Sequence, residues 1–371
     1  MGARRHPSPL RTGQFAFVKQ LALYLAKAVG LFALSRRLTR DRLRLLCYHG
    51  VWLGGQPHYG DCLYMSGERF ERRIKLLGRL GYPVLPLNEA LERLRNGTLP
   101  DCAVAITIDD AWHSTYARML PVLRQHGLPA TVYVTTYYVA ARTPVLNVLI
   151  GYMVTRAAAL PDPAQLFPDD PQAALQASRA NRSQLAEMLS ARIDALPHLD
   201  ARKAELARIA SLFAFDLETV IADRRFDLMT EEEIRGAHAD GFDIQLHTHT
   251  HRMHGFDPAK IAADVERNRR ELARILQAPP ETFVHFCYPS GAYTEQVFSA
   301  LQQIGVRSAT TTDFGLNGRD SDPMALRRIL DCESMSDLDF DARLCGFWTL
   351  VQRLRTAGRV TPGNEVVNAR M

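Results

Sequence analysis

The residues best suited to chemistry are two adjacent aspartates and a tight group of histidines. Asp109 and Asp110 follow the apolar segment Ala-Val-Ala-Ile-Thr-Ile, and His247, His249 and His251 begin directly after Phe-Asp-Ile-Gln-Leu. Carboxylates and neutral imidazoles are the ligands that divalent metals take in catalytic sites. Two imidazoles and one carboxylate leave positions open for water and substrate. Such a site suits the hydrolysis of an amide or ester.

The spacing of the histidines limits the candidate metal ligands to a few pairs, but it does not choose one pair. Four of the 12 histidines fall between His247 and His254. His247 and His251 are four residues apart, which on a helical turn points both rings the same way. The pairs His249/His251 and His251/His254 satisfy spacing equally well. Zinc is the leading metal, and ferrous iron accepts the same ligand set.

The two aspartates leave a strand on opposite sides, so they can take different roles. One can bind a metal while the other acts as the base that removes a proton from water. An alternative interpretation is an ordinary pair that caps the helix predicted from Ser114 onward. Burial of two neighbouring carboxylates is costly unless a cation or hydrogen-bond donors compensate them.

The elements that position these residues alternate between β-like runs and helical patterns. This alternation predicts a parallel sheet, and seven strands suit a closed or nearly closed barrel. In such folds the carboxyl ends of the strands share one rim, where His49, Asp109, the histidines and Tyr288–Pro289 would meet. The predicted strands are Leu43–Val51, Tyr82–Leu87, Ala103–Asp110, Ala130–Thr136, Phe242–His247, Val284–Pro289 and Arg307–Thr312. The predicted helices are Ser66–Leu80, Leu87–Arg95, Ser114–His126, Asp257–Leu276 and Thr294–Ile304.

Three segments are expected along the 371 residues. Residues 1–42 form a basic amphipathic arm, and residues 43–335 form the barrel. A helical insertion at about 137–230 interrupts the barrel, because that stretch contains no convincing strand. Residues 336–371 form a C-terminal amphipathic helix followed by a frayed tail.

The excess of positive over negative charge lies in the arm. Residues 1–44 contain ten Lys or Arg and one acid, whereas the whole chain has a net charge of +5, so the remainder is net negative. A nucleic-acid-binding protein needs its basic patch on the folded body, so nucleic acid is disfavoured as a partner.

The segment Phe15–Leu34 is apolar apart from three polar residues, and two of these are lysines, which disfavour a membrane-spanning helix. Two interpretations remain open: a helix on an anionic membrane surface, or a helix packed against the body.

The six cysteines are scattered without any C-x-x-C pair, which excludes zinc knuckles and thioredoxin-like motifs. Cys47, Cys102 and Cys287 lie in apolar runs, where a reduced cysteine behaves as a small hydrophobe. This distribution favours a reducing compartment. We therefore expect a cytoplasmic protein that is peripheral to the inner membrane.

Two motifs together resemble those of the polysaccharide deacetylases, carbohydrate esterase family 4, with chitooligosaccharide deacetylase-like members. The family's T-F-D-D-G motif is matched by Thr107-Ile108-Asp109-Asp110-Ala111, and its H-[ST]-x-x-H motif by His247-Thr248-His249-Thr250-His251. The resemblance covers roughly residues 43–330. It implies a distorted (β/α)7 barrel that removes N-acetyl groups from hexosamine units with a divalent metal. It assigns Asp109 as catalytic base and Asp110, His247 and His251 as metal ligands.

Three departures from the family pattern affect the site. Ala111 replaces a glycine, a mild change if its φ is negative. The block Phe286-Cys287-Tyr288-Pro289 stands where many members have an arginine that orients the base. This form of the block, together with Tyr48-His49, resembles the exopolysaccharide-modifying branch of the family.

The third departure concerns a late motif that supplies the catalytic acid in other branches; Leu326-Arg327-Arg328-Ile329 stands in its place. His49 is therefore our candidate acid, because a cationic imidazole could protonate the leaving amine.

Trp112, Tyr288 and Pro289 are the candidate substrate-binding residues, because sugars stack on aromatic rings and these residues lie next to the motifs. The predicted function is metal-dependent deacetylation of an N-acetylhexosamine-containing polysaccharide or oligosaccharide. The alternatives are deacetylation or deformylation of a lipid-linked aminosugar, and an inactive glycan-binding barrel. Retained binding without acetate release would identify the last of these.

Overall fold

Seven parallel strands close into a barrel in the order β1-β4-β5-β6-β7-β8-β9, with β9 returning to β1. The computed structural model describes residues 9–54, 57–58 and 60–357. Two further short strands, β2 and β3, pair beside the barrel. The strands are β1 Arg44–Tyr48, β2 Gly50–Val51, β3 Tyr64–Met65, β4 Val104–Ile108, β5 Thr131–Val134, β6 Asp243–Leu246, β7 His285–Cys287, β8 Ser308–Phe314 and β9 Leu326–Leu330. The predicted (β/α)7 barrel is confirmed.

Helices surround the barrel and fill the long connection between β5 and β6. The first helices and those of the barrel are α1 Pro9–Ala28, α2 Leu31–Leu38, α3 Gly67–Arg79, α4 Leu87–Asn96 and α5 Leu120–Gln125. The β5–β6 connection contains α6 Thr136–Ala141, α7 Leu146–Arg156, α8 Pro163–Leu166, α9 Pro171–Ala177, α10 Arg182–Asp194, α11 Leu199–Leu212, α12 Leu217–Ala222 and α13 Glu231–Ala239. The remaining helices are α14 Pro258–Leu276, α15 Phe298–Gln303, α16 Asp337–Leu344 and α17 Phe347–Ala357.

Several helices begin where a side chain caps the free backbone N–H groups. The Ser66 side chain accepts a hydrogen bond from the Arg69 N–H at the start of α3. Thr230 and Glu233 form a reciprocal capping box at the start of α13. The Asp257 side chain accepts from the Ala259 and Lys260 N–H groups at the start of α14. The caps at Ser66 and Asp257 explain why the helix predictions that begin there agree with the structure to within one residue.

Among the barrel strands, one prediction is wrong and one strand was missed; the short strand Tyr64–Met65 beside the barrel was missed as well. Tyr82–Leu87 forms only a single bridge, Val84 to Val104, because Pro83 and Pro86 lack the N–H that a ladder requires. The seventh barrel strand is Leu326–Leu330, whose two arginines hide its apolar pattern. Arg328 in that strand is fully buried.

The N-terminal helices pack on the C-terminal helices. Leu23, Ala26 and Phe32 form a small apolar cluster with Ala342 and Cys345. The structure thus places α1 and α2 against the body, which is one of the two interpretations of the arm. The first eight residues and the predicted tail at 361–371 lie outside the described residues.

A disulfide joins Cys62, just before β3, to Cys332, just after β9. Cys47, Cys102, Cys287 and Cys345 are free and buried. The free thiols include Cys47, Cys102 and Cys287, the three cysteines whose apolar surroundings favoured a reducing compartment, and the disulfide joins two others. Spacing could not reveal this pair, because 270 residues separate the two cysteines and only barrel closure brings them together.

We predict that Cys62→Ser lowers the free energy of unfolding by about 2–4 kcal/mol, because the bond restricts the unfolded chain. Urea denaturation with and without dithiothreitol measures this effect. The reductant should destabilise the wild type and leave the variant unchanged. Thiol alkylation of the unfolded, unreduced protein should find four free thiols, and six would contradict the disulfide. Alkylation in intact cells would also test the predicted compartment, since disulfides are rare in the cytosol.

Candidate active site

Asp110, His247 and His251 converge at the carboxyl ends of β4 and β6. Asp110 Oδ1 lies 3.1 Å from His247 Nε2 and 3.2 Å from His251 Nε2. Their potential ligand atoms all lie within 4.8 Å of one another. Asp110 and His247 are buried, whereas His251 is about one-third exposed. The cluster is therefore buried at Asp110 and His247 and open to solvent at His251.

Neighbouring groups orient these side chains as a metal site requires. The carbonyl oxygen of Cys287 lies 2.7 Å from His247 Nδ1, so the Nδ1–H donates to it and Nε2 keeps its lone pair. Trp112 Nε1 donates to Asp110 Oδ2, which leaves Oδ1 facing the two imidazoles. Two nitrogens and one oxygen in this arrangement fit a divalent metal such as zinc.

Helix α14 holds the histidine loop in place. Asp264 Oδ2 accepts hydrogen bonds from the His249 and Thr250 N–H groups, and Asn268 Oδ1 accepts from the His247 N–H. His249 points elsewhere, with its Nδ1 3.0 Å from Thr136 Oγ1. The structure therefore brings His247 and His251 together and leaves His249 out. Sequence reasoning missed Asp264 and Asn268, which lie one helical turn apart on α14.

Asp109 faces the barrel interior and forms a bidentate ion pair with Arg328. Arg328 Nη1 and Nη2 each lie 2.7 Å from one carboxylate oxygen. The remaining guanidinium N–H groups bond to Thr311 O, Thr107 Oγ1 and Cys287 Sγ. Arg328 thus pairs with the carboxylate that, by the family resemblance, an arginine of the third motif would orient. It was missed because it lies on another strand, although an arginine inside an apolar run was a signal.

Arg328 keeps Asp109 ionised. Burial alone raises the pKa of a carboxyl, but the charge and hydrogen bonds of Arg328 outweigh it and lower the pKa of Asp109 to about 2. An aspartate in the unfolded chain has a pKa of about 3.9. The pair therefore stabilises the fold fully above about pH 4, and that stabilisation is lost as the pH falls toward 2.

His49 lies at the same rim, next to the proposed base. Its Nε2 is 3.7 Å from Asp109 Oδ2, and its side chain is about 10% exposed. Burial lowers the pKa of His49, against the opposing attraction of Asp109 and Asp110. The lowered pKa favours the neutral ring, so His49 must first take up a proton before it can act as the acid expected from the sequence.

The chain bends sharply after Asp109. Asp110 and Ala111 have φ values of 68° and 61°, in the left-handed region that favours glycine. The replacement of glycine by Ala111 was expected to be mild if the φ of Ala111 were negative. Because that φ is positive, the expectation does not hold. The bend turns Asp110 toward the histidines while Asp109 stays directed at Arg328. Conformations of this kind cluster at functional sites.

The three predicted substrate-binding residues are buried. Trp112 is 2% exposed and bonds to Asp110, while Tyr288 is fully buried and its hydroxyl donates to Met324 O. Pro289 is buried as well. Stacking of a sugar on these rings does not agree with their burial. Trp112 instead helps to hold Asp110 through its hydrogen bond. Tyr137 is exposed, and its N–H donates to the carbonyl oxygen of His249, which places it at the rim.

We predict that Arg328→Gln lowers kcat about 100-fold and leaves metal content unchanged, because Asp109 loses its orientation. Arg327→Gln is the matched control, since Arg327 is the exposed neighbour on the same strand. Initial rates and elemental analysis of both variants measure the effect. Equal loss in the two variants would contradict a specific role for Arg328.

Several known proteins are similar to this chain. A family model described as polysaccharide deacetylase matches residues 96–186 and 208–309, which is more than half of the chain. YxkH of Bacillus subtilis, whose polysaccharide deacetylase name is provisional, is 21% identical over 303 residues, which cover 81% of this chain and 75% of YxkH.

Two solved structures share the fold. The Streptococcus pyogenes deacetylase PplD in complex with acetate has a TM-score of 0.54 and 15% identity, over 82% of this chain and 98% of PplD. A de-N-acetylase from Aggregatibacter actinomycetemcomitans has a TM-score of 0.52 and 14% identity, over 82% of this chain and all of that one. The chain belongs to the polysaccharide deacetylase family, hydrolases of amide carbon–nitrogen bonds other than peptide bonds.

Proposed function

We propose that this protein is a metal-dependent deacetylase that removes N-acetyl groups from an N-acetylhexosamine-containing polysaccharide or oligosaccharide. The observation that carries the proposal is the convergence of Asp110, His247 and His251 beside the separately held carboxylate of Asp109. The acetyl group follows from the family description. The exopolysaccharide type of substrate follows from the resemblance in the third motif.

Asp110 Oδ1, His247 Nε2 and His251 Nε2 would hold the metal, with zinc as the leading candidate. A divalent ion at this position supplies Lewis acidity, which activates water and polarises a carbonyl oxygen. The partial exposure of His251 supports entry of substrate from that side.

The chain supplies a route for the proton of the attacking water. Asp109 accepts the proton, and its low pKa favours rapid transfer to the neutral His49 ring 3.7 Å away. Protonated His49 then donates to the nitrogen of the leaving amine as the carbon–nitrogen bond breaks. The water oxygen and its second hydrogen end in acetic acid, which loses that proton to solvent as acetate, and the sugar keeps a free amine.

The ligand set predicts which histidines retain metal. His247→Ala or His251→Ala should lower the metal content of the purified protein at least tenfold, because each removes one ligand. His249→Ala is the matched control from the same loop and should retain metal, since its ring bonds to Thr136. Elemental analysis decides between these outcomes. Equal metal loss in His249→Ala would contradict the assignment.

The role of Asp109 predicts a different result. Asp109→Asn should reduce turnover at least 100-fold with metal content unchanged, because the base is lost while the ligands remain. Acetate release from a panel of N-acetylated glycans, with and without a chelator, measures turnover. Asp320→Asn, an exposed aspartate, is the control. Retained activity in Asp109→Asn would remove Asp109 from the role of base.

A second candidate substrate is a lipid-linked aminosugar that is deacetylated or deformylated. The observation that favours it is the exposed apolar surface of α1 and α2. Comparison of acyl release from a soluble oligosaccharide and from a polyprenyl-linked sugar separates the candidates. Faster release from the soluble oligosaccharide supports the first proposal, and release from the lipid-linked donor alone supports the second.

A further inference from the structure

Helices α1 and α2 expose a continuous series of large apolar side chains that no part of the described chain covers. On α1 they recur at one-, three- and four-residue intervals, which places them on a single side of the helix. We call this set, with its continuation on α2, the outer face. Its members are 41–72% exposed: Phe17, Val18, Leu21, Tyr24, Leu25, Val29, Leu31, Leu34 and Leu38. Soluble proteins rarely expose so many large apolar groups together unless they form a binding surface.

The opposite side of α1 is fixed to the body. Lys19 Nζ lies 2.8 Å from Asp339 Oδ2, and Lys27 Nζ lies 2.6 Å from Asp341 Oδ2. Both aspartates are buried, and the lysines help to compensate their charge; Asp339 also accepts a hydrogen bond from Trp348 Nε1. The side chains of Lys19 and Lys27 are 43% and 49% exposed, but their ammonium groups are bound to the body. The two lysines therefore border the outer face and do not interrupt it.

Positive charge lies at the end of this surface. Arg37 and Arg40 are exposed, next to Leu34 and Leu38 on α2 and the turn that follows it. An apolar face bordered by arginines is complementary to the acyl chains and anionic headgroups of a bilayer surface.

Helices α1 and α2 do not form one straight helix that could cross a bilayer. Among the described residues no single helix is long and apolar enough to span. The segments Phe17–Ala28 and Leu31–Leu38 pass that test only together, and they are bent by 74°. The ion pairs of Lys19 and Lys27 also hold α1 along α16. Because α1 is fixed along its length to the body, the side that faces away from the body can contact a membrane surface.

We propose that the outer face of α1 and α2 docks on the surface of an anionic lipid bilayer. The catalytic groups follow the carboxyl ends of the strands. In contrast, Arg36 of α2 donates to Leu80 O and Gly81 O, where α3 ends near the amino ends of the strands. Docking through α2 therefore leaves the active-site rim accessible. The proposal is independent of the catalytic assignment.

Flotation of the full-length protein with phosphatidylglycerol vesicles tests the proposal. The wild type should float, and Leu25→Asp/Leu34→Asp should lose at least 90% of the floated fraction. Leu175→Asp/Leu199→Asp is the matched control, with residues of similar exposure on α9 and α11, and it should float like the wild type. Arg37→Gln and Arg40→Gln should each weaken binding about fivefold, and phosphatidylcholine vesicles should bind less than phosphatidylglycerol vesicles.

Circular dichroism and acetate release verify that each variant is folded, so a loss of flotation cannot be confused with a loss of catalysis. A wild type that stays unbound, or an aspartate double variant that floats equally well, would overturn the proposal. A wild-type dimer that Leu25→Asp/Leu34→Asp dissociates, without vesicle binding, would show that a second copy covers the outer face. That result would overturn the proposal too.

Discussion

Two adjacent carboxylates, Asp109 and Asp110, are buried at the end of one strand, and the rest of the site compensates their charge. Neighbouring buried anions are unstable unless each has its own partner. The left-handed backbone at Asp110 separates them. Asp109 turns inward to Arg328, and Asp110 turns outward to two imidazoles. This separation supports our proposal that Asp110 binds a metal while Asp109, paired with Arg328, accepts a proton.

The barrel brings these partners together from distant parts of the sequence. Arg328 is on the last strand, the aspartates follow β4, and the histidines follow β6. Closure between β9 and β1 places Arg328 inside the barrel, close to Thr107 and Asp109. Helix α14 then fixes the histidine loop through Asp264 and Asn268. The catalytic geometry thus depends on a closed ring of strands more than on any local motif.

The sequence predicts the barrel class and most strands because apolar runs, glycines and helix caps are local signals. It also predicts the residues that cluster, since strand ends in a parallel barrel share one rim. Arg328 could not be assigned, because its partner is 219 residues away and its strand looks polar. The burial of Trp112 and Tyr288 could not be predicted either, because adjacency to a motif does not distinguish a supporting residue from a contact residue. The Cys62–Cys332 pair depended on tertiary proximity in the same way.

The central claim is that Asp110, His247 and His251 hold one divalent metal. Anomalous X-ray diffraction at the zinc absorption edge, on crystals of the zinc-loaded protein, tests it most directly. We expect a single strong peak about 2.0–2.2 Å from Asp110 Oδ1, His247 Nε2 and His251 Nε2. A peak bound instead by His249 or His254, or no peak among these three side chains, would contradict it.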